Sequence, residues 1–216
     1  MNKAEQQTQD MHEVQDIKIQ SLKEYPQETE DNIFVVDCET GGLKADMNSL
    51  LDIHFRSLQS DWKRTFTFKP INTCEHEALC VNRLNWIDLI SRKETTSDTN
   101  ADAIYKIFDK HPIIIGNNIE FDLKFIKQYL YVKNMSGHYA ICTMRLAKKL
   151  LKGRKDSFSL KSLSMNYVGE YDESKAHTAE YDCYLTENLL RKLLEDDKED
   201  ILKLKWLAEE SKSAKE

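Results

Sequence analysis

Two short apolar runs, Ile33-Phe34-Val35-Val36 and Pro112-Ile113-Ile114-Ile115-Gly116, constrain this chain more than any other feature. Both are rich in β-branched residues and too short for an ordinary helix. Each ends at a turn signal, Thr40-Gly41-Gly42 after the first and Gly116 after the second. A strand that is apolar at successive positions is buried on both faces, so it belongs inside a sheet covered on both sides. Residues 49–55, 64–68 and 139–142 read as further strands, the first two with alternating polarity. Helical periodicity predicts helices near 84–92, 101–110, 120–131, 143–152, 158–167, 179–194 and 199–210. Strands first, then strand–helix units, then helices describe an α/β domain: a mixed β-sheet flanked by α-helices.

The formal net charge of −6 argues, at first sight, against a partner as negative as a nucleic acid. Its distribution removes the objection. Residues 1–31 hold eight acids and three bases, so the other 185 residues sum to −1. That first segment reads as a poorly ordered acidic extension, residues 32–195 as the folded domain, and 196–216 as a helix with a charged tail. Six glycines and three prolines exclude a collagen-like or linker-type chain. No apolar run approaches the roughly 18–20 residues of a membrane helix, and the N-terminus lacks a signal peptide's apolar core. The five cysteines are scattered, odd in number and without a C-x-x-C pair. They point to reduced thiols in a cytoplasmic protein rather than a disulfide framework or a thiolate zinc site.

Three motifs carry chemistry. Asp37 and Glu39 end the first strand, and residues i and i+2 of a strand share a face, so two carboxylates stand side by side. Such a pair suits a hard divalent cation, although solvated strand-end acids have the same pattern. In Gly116-Asn117-Asn118-Ile119-Glu120-Phe121-Asp122, a buried strand gives way to a helix with Asp122 in its first turn, where an acid also fits the helix dipole. Last comes His177-Thr178-Ala179-Glu180-Tyr181-Asp182, with His177 in a loop and Asp182 in the helix that follows. Alone, it equally describes a surface histidine and a helix acid.

In this order, D-x-E-T-G-G, N-x-x-F-D and H-x-A-x-x-D resemble the DnaQ-like DEDDh exonucleases of the ribonuclease H-like superfamily. The resemblance covers about residues 32–195. It extends to Cys142-Thr143 before a helix and to Ser159-Leu160-Lys161-Ser162-Leu163 upstream of the histidine. It implies a ribonuclease H-like fold, with Asp37, Glu39, Asp122 and Asp182 as ligands of two Mg²⁺ or Mn²⁺ ions and His177 as general base. Histidine titrates near neutrality, so it can take a proton from an attacking water. The implied reaction is metal-dependent 3′→5′ hydrolysis of single-stranded DNA or RNA from the 3′ end, releasing nucleoside 5′-monophosphates. A loop position fits a base that swings in once substrate is bound.

The resemblance also implies that Thr40, Gly42 and Leu43 hold the 3′-terminal nucleotide, with Asn118 and Phe121 as helpers. Lys148, Lys149, Lys152, Arg154 and Lys155 form a basic cluster, read either as a solvated helix end or as a phosphate track, with Lys152 and Arg154 as the contacts. Trp62, Trp86 and Trp206 read as buried packing residues. The chain departs from the family at Asn117, where a histidine is common, and in an individual loop between Ser91 and Asn100. Expected partners are single-stranded 3′ ends and a DNA polymerase, with no membrane. A non-catalytic nucleic-acid-binding or partner-binding module on the same fold is the alternative, and a metal-binding structural protein a third reading. Retention of all five catalytic residue types argues against both.

Overall fold

The computed structural model describes residues 33–110, 112–130 and 139–196; the extension at 1–31, the helix at 199–210 and Trp206 lie outside these. Five strands form one sheet: β1 (Ile33–Thr40), β2 (Leu50–Ser57), β3 (Lys63–Thr67), β4 (Ile113–Gly116) and β5 (Tyr139–Cys142). Their order is β3-β2-β1-β4-β5. The pairs β1–β2 and β2–β3 are antiparallel, whereas β1–β4 and β4–β5 are parallel. The two apolar runs are thus adjacent inner strands of a mixed sheet.

Alternation along β1 divides the core. Phe34, Val36 and Cys38 pack on one face with Ile114 and with helices α3 (Glu94–Phe108) and α4 (Glu120–Tyr129), through Ile104, Phe108, Phe125 and Ile126. Ile33 and Val35 pack on the other with Ile113, Ile115 and helices α5 (Thr143–Leu150), α6 (Leu160–Leu163) and α7 (Ala179–Asp196). Each fully buried Leu, Ile or Phe contributes about 1.5–3 kcal/mol, so the two layers supply most of the drive to fold. A π-helical turn, Ser164–Val168, follows α6 and ends at Gly169, whose φ of 87° suits glycine.

Helix boundaries differ from the periodicity in two places. The helix expected at 84–92 is α2 (Trp86–Ser91), with Asn85 capping it by accepting a bond from the Ile87 amide, and a further short helix, α1 (His76–Val81), precedes it where no periodicity pointed to one. Residues 91–100, expected as a loop, include the first turns of α3. Ser, Thr, Asp and Asn there make local backbone bonds in isolation, and tertiary contact overrides that preference. Ser97 and Asn100 use theirs to bond the Lys69 amide and the Thr67 carbonyl. Trp62 meets Phe34 edge-on at 5.5 Å but is 39% exposed, and Trp86 is 49% exposed. Neither is the buried packing residue expected: Trp62 comes just before the edge strand β3, and Trp86 opens the short helix α2.

Candidate active site

The site forms where β1 ends. Asp37 and Glu39 follow Ile33 and Val35 on the face covered by α7, whose first turn carries Asp182. One carboxylate oxygen from each of Asp37, Glu39 and Asp182 lies within 4.8 Å of the others. The β1–β2 register shifts between Glu39 and Thr40, and such an irregularity turns a strand-end side chain to a new direction. Asp122 arrives from the opposite face, on α4, whose Leu123, Phe125 and Ile126 are buried. Its Oδ1 accepts the Cys38 amide proton at 2.9 Å, so the acid is anchored between the two acids of β1.

Four acids this close repel one another. Burial, then Asp122, Glu39 and Asp182, hold Asp37 well above the usual carboxylate range. Burial first and then Asp182, Asp52 and Asp122 push Glu39 up to about 8. Burial raises Asp122 to about 7, against the pull of backbone amides and the Cys38 thiol. Asp182 is also raised by burial, with His177 and its backbone amide acting in the opposite sense. The neighbours that act on these groups are other acids, amides, a thiol and one histidine. Arg92 pairs with Asp52 at 2.9 Å and donates to the Leu51 and Phe68 carbonyls. A largely buried, oxygen-only donor set, with no lysine or arginine ion-paired to it among the described residues, fits a divalent metal.

His177 is exposed, with a left-handed φ of 60°, in the loop before α7. The loop is closely tied. The Asp172 amide donates to the Tyr181 hydroxyl at 2.7 Å, and Lys161 pairs with Glu173 at 2.6 Å. Tyr184 and Asn188 bond the Glu170 carboxylate, while Arg83 donates to the carbonyls of Glu173 and Ser174. The backbone is therefore held while the imidazole stays open to solvent.

Beside Glu39 lies a cavity of about 380 Å³ lined by Thr40, Gly42, Leu43 and Phe121, together with Cys38, Glu75, Glu77, Ala78, Val81 and Asn82. Leu43 is 82% exposed at its rim. The Thr40 hydroxyl donates to the Gly42 carbonyl at 2.7 Å, and Asn82 donates to the Thr40 carbonyl at 2.9 Å, which together fix the turn. A Cβ on Gly42 would lie 2.5 Å from the Asn48 side chain, so the close approach requires glycine.

Thus Thr40, Gly42, Leu43 and Phe121 come together against the acids. Asn118 does not line the cavity. It holds the turn before α4 at a φ of 63°, with its carbonyl accepting from the Phe121 amide. Lys152 and Arg154 are also outside the cavity's lining. Lys152 is exposed, and Arg154 pairs with Asp156 at 3.2 Å and reaches the Ser162 carbonyl at 3.4 Å. The wall from α1 was not foreseen in the sequence. Six helical residues show no usable periodicity, and the one hint was the double glycine, which demands a close neighbour.

The family model described as RNase_T: Exonuclease matches residues 34–190. The DNA polymerase III subunit epsilon of Aquifex aeolicus is 33% identical over 86 residues, covering 39% of this chain and 41% of that protein. The chain thus spans less than half the length of this curated relative. Exonuclease X in complex with 5′ overhanging duplex DNA superposes with a TM-score of 0.59 at 18% identity, over 82% of this chain and 99% of that one. The zinc-bound complex of E. coli exonuclease I with single-stranded DNA gives 0.63 at 16% identity, over 81% and 42%. At such identities, these structures establish the fold.

Proposed function

This chain belongs to the RNase_T exonuclease family, DnaQ-like enzymes of ribonuclease H-like fold, and on that basis we propose that it is a divalent-metal-dependent 3′→5′ exonuclease. It hydrolyses the terminal phosphodiester of a single strand and releases a nucleoside 5′-monophosphate. One observation carries the reading: carboxylate oxygens of Asp37, Glu39 and Asp182 converge within 4.8 Å beside a cavity, with buried Asp122 tied to the same strand.

Asp37, Glu39, Asp122 and Asp182 would hold two divalent ions, Mg²⁺ or Mn²⁺. When bound, these neutralise the acids and stabilise charge on the reacting phosphate. His177 takes the proton of the attacking water at its imidazole. The cavity takes the 3′-terminal nucleotide: the backbone of Thr40 and Gly42 forms its floor, Phe121 its apolar wall, and Leu43 a rim against which the last base packs. Asn118 supports this arrangement by placing Phe121. Lys152 and Arg154, beyond the cavity, belong to the basic surface that meets the rest of the strand.

The catalytic domain is taken as residues 32–195, with 1–31 and 196–216 as appendages. DNA is favoured as substrate because the epsilon-subunit relative is part of a DNA polymerase and exonuclease I was solved with single-stranded DNA. The same relative supports a polymerase as protein partner. A cytoplasmic location agrees with five free cysteines. No helix among the described residues is long and apolar enough to cross a membrane.

The test is digestion of 3′- and 5′-end-labelled single-stranded DNA and RNA with Mg²⁺, Mn²⁺ or EDTA. Stepwise shortening from the 3′ end with either metal, and none in EDTA, is expected. Strands left intact in both metals would overturn the enzyme reading.

A further inference from the structure

Two walls carry Asp37, Glu39 and Asp182. One is the end of β1 with the segment at residues 75–83, which lines the cavity; the other is α7 with the loop at residues 169–178 that leads into it, and α6. The hydrogen bonds described within and around that loop come from its own wall: Lys161 on α6, Tyr181, Tyr184 and Asn188 on α7, and the Ser164 carbonyl. Arg83 differs. It stands on the opposite wall, and its guanidinium donates to the carbonyls of Glu173 and Ser174, three to four residues before His177. Its neighbour Asn82 holds the Thr40 carbonyl at 2.9 Å and lines the cavity. Two successive side chains therefore grip the metal-bearing strand and the histidine loop.

The contact itself ends at the carbonyls of Glu173 and Ser174; Arg83 has a φ of 56° and His177, three residues beyond Ser174, a φ of 60°, left-handed values uncommon for non-glycine residues. The guanidinium is suited to the task because its planar fork presents donors to two carbonyls in a fixed geometry, whereas an ammonium offers its three donors from one flexible point.

We infer that Arg83 is a positioning residue for His177, fixing the histidine loop relative to the cavity that receives the 3′ nucleotide. The inference rests on the reading of His177 as general base. Arg83 is exposed, so its replacement leaves the core untouched.

The test is a double-mutant cycle on the full chain, with Arg83→Ala, Arg83→Lys, His177→Ala and the Arg83→Ala/His177→Ala pair. Each is assayed on a single-stranded oligonucleotide at saturating Mn²⁺, alongside its melting temperature. Arg83→Ala is expected to lower kcat by about ten- to a hundredfold, with KM changed by less than about twofold and melting unchanged. Arg83→Lys should recover part of the loss. In the His177→Ala background, Arg83→Ala should cost nothing further. A rise in KM at constant kcat would assign Arg83 to a direct phosphate contact and overturn the inference, as would the same loss with and without His177. Full activity of Arg83→Ala overturns it too. Full activity of His177→Ala alone instead removes the base assignment, and the inference with it.

Discussion

Asp122 meets Cys38 on the face of the sheet that α4 covers: a carboxylate from that helix accepts the amide proton of a residue 84 positions earlier, in the middle of the acidic strand end. The contact fixes the height of α4 against β1, and the hydrophobic packing of Phe125 and Ile126 fixes its rotation. Position of the fourth acid is thus set by the core, and the other three can be perturbed separately.

Asp37→Asn should abolish hydrolysis while leaving the fold intact. Because Asp37 is held well above its ordinary value by burial and by three other acids, removing its charge relieves the metal-free protein. In EDTA the variant should melt above the wild type, read by circular dichroism. A lower melting temperature would mean that Asp37 has a structural role the site does not predict.

His177→Ala is expected to lose turnover by about 10²–10⁴-fold, the span of a general base, with metal affinity retained. Isothermal titration with Mn²⁺ separates the two effects. Loss of metal binding would move His177 from proton transfer to the metal site.

Stability should depend on pH in a direction opposite to that of most carboxylates. A carboxyl raised on folding holds its proton better in the native state. Its contribution is full below the unfolded value and is lost as pH climbs through the folded one. With Asp122 at about 7 and Glu39 at about 8, the protein in EDTA should lose melting temperature steadily from about pH 5 to pH 8. A divalent ion competes with those protons, so its stabilising effect should grow over the same range. Differential scanning fluorimetry with and without Mn²⁺ checks both slopes. Acting in the opposite sense are buried His54, lowered to about 4 by burial, which destabilises as pH falls below its unfolded value, and the ion-paired carboxyls of Glu180 and Glu187, held low, whose contribution is lost at acid pH.

Leu43→Ala should leave melting unchanged, since the side chain is 82% exposed, while raising KM several-fold. Gly42→Ala should do more. Its Cβ must displace Asn48, which bonds the Lys44 amide and the Glu75 carboxylate, so KM rises and melting falls together. Steady-state kinetics on a short oligonucleotide distinguishes the pair.

The five residues proposed as catalytic stood out in the sequence because each is tied to a local pattern. A strand's alternation carries Asp37 and Glu39, a strand–turn–helix carries Asp122, and a loop–helix carries His177 and Asp182. The inner strands were legible because β-branched runs have few other places to go. What escaped was whatever depends on contact between distant segments. The wall at residues 75–83 has no periodicity, and it is tied to β1 through contacts between distant segments: Thr73 and Cys74, just before it, pack where a Cβ on Gly41 would stand, and the Glu75 amide donates to the Gly41 carbonyl. The early turns of α3 are written in residues that favour turns and are held by bonds to Lys69 and Thr67. Arg154, one of a run of positive charges in the sequence, is drawn to a neighbouring acid and carbonyl that no charge count foresees.

The sheet order has one more consequence. Asp37 lies on the first strand of the sheet and Asp182 on the last described helix, and the acids meet only after β4 and α4 have placed Asp122 between them. During synthesis the chain therefore carries half of its cutting apparatus through most of its length without being able to use it. A product that stops before Ala179 is expected to be inert rather than unregulated. For a hydrolase made among the cell's own nucleic acids, completeness of the chain becomes the condition for activity.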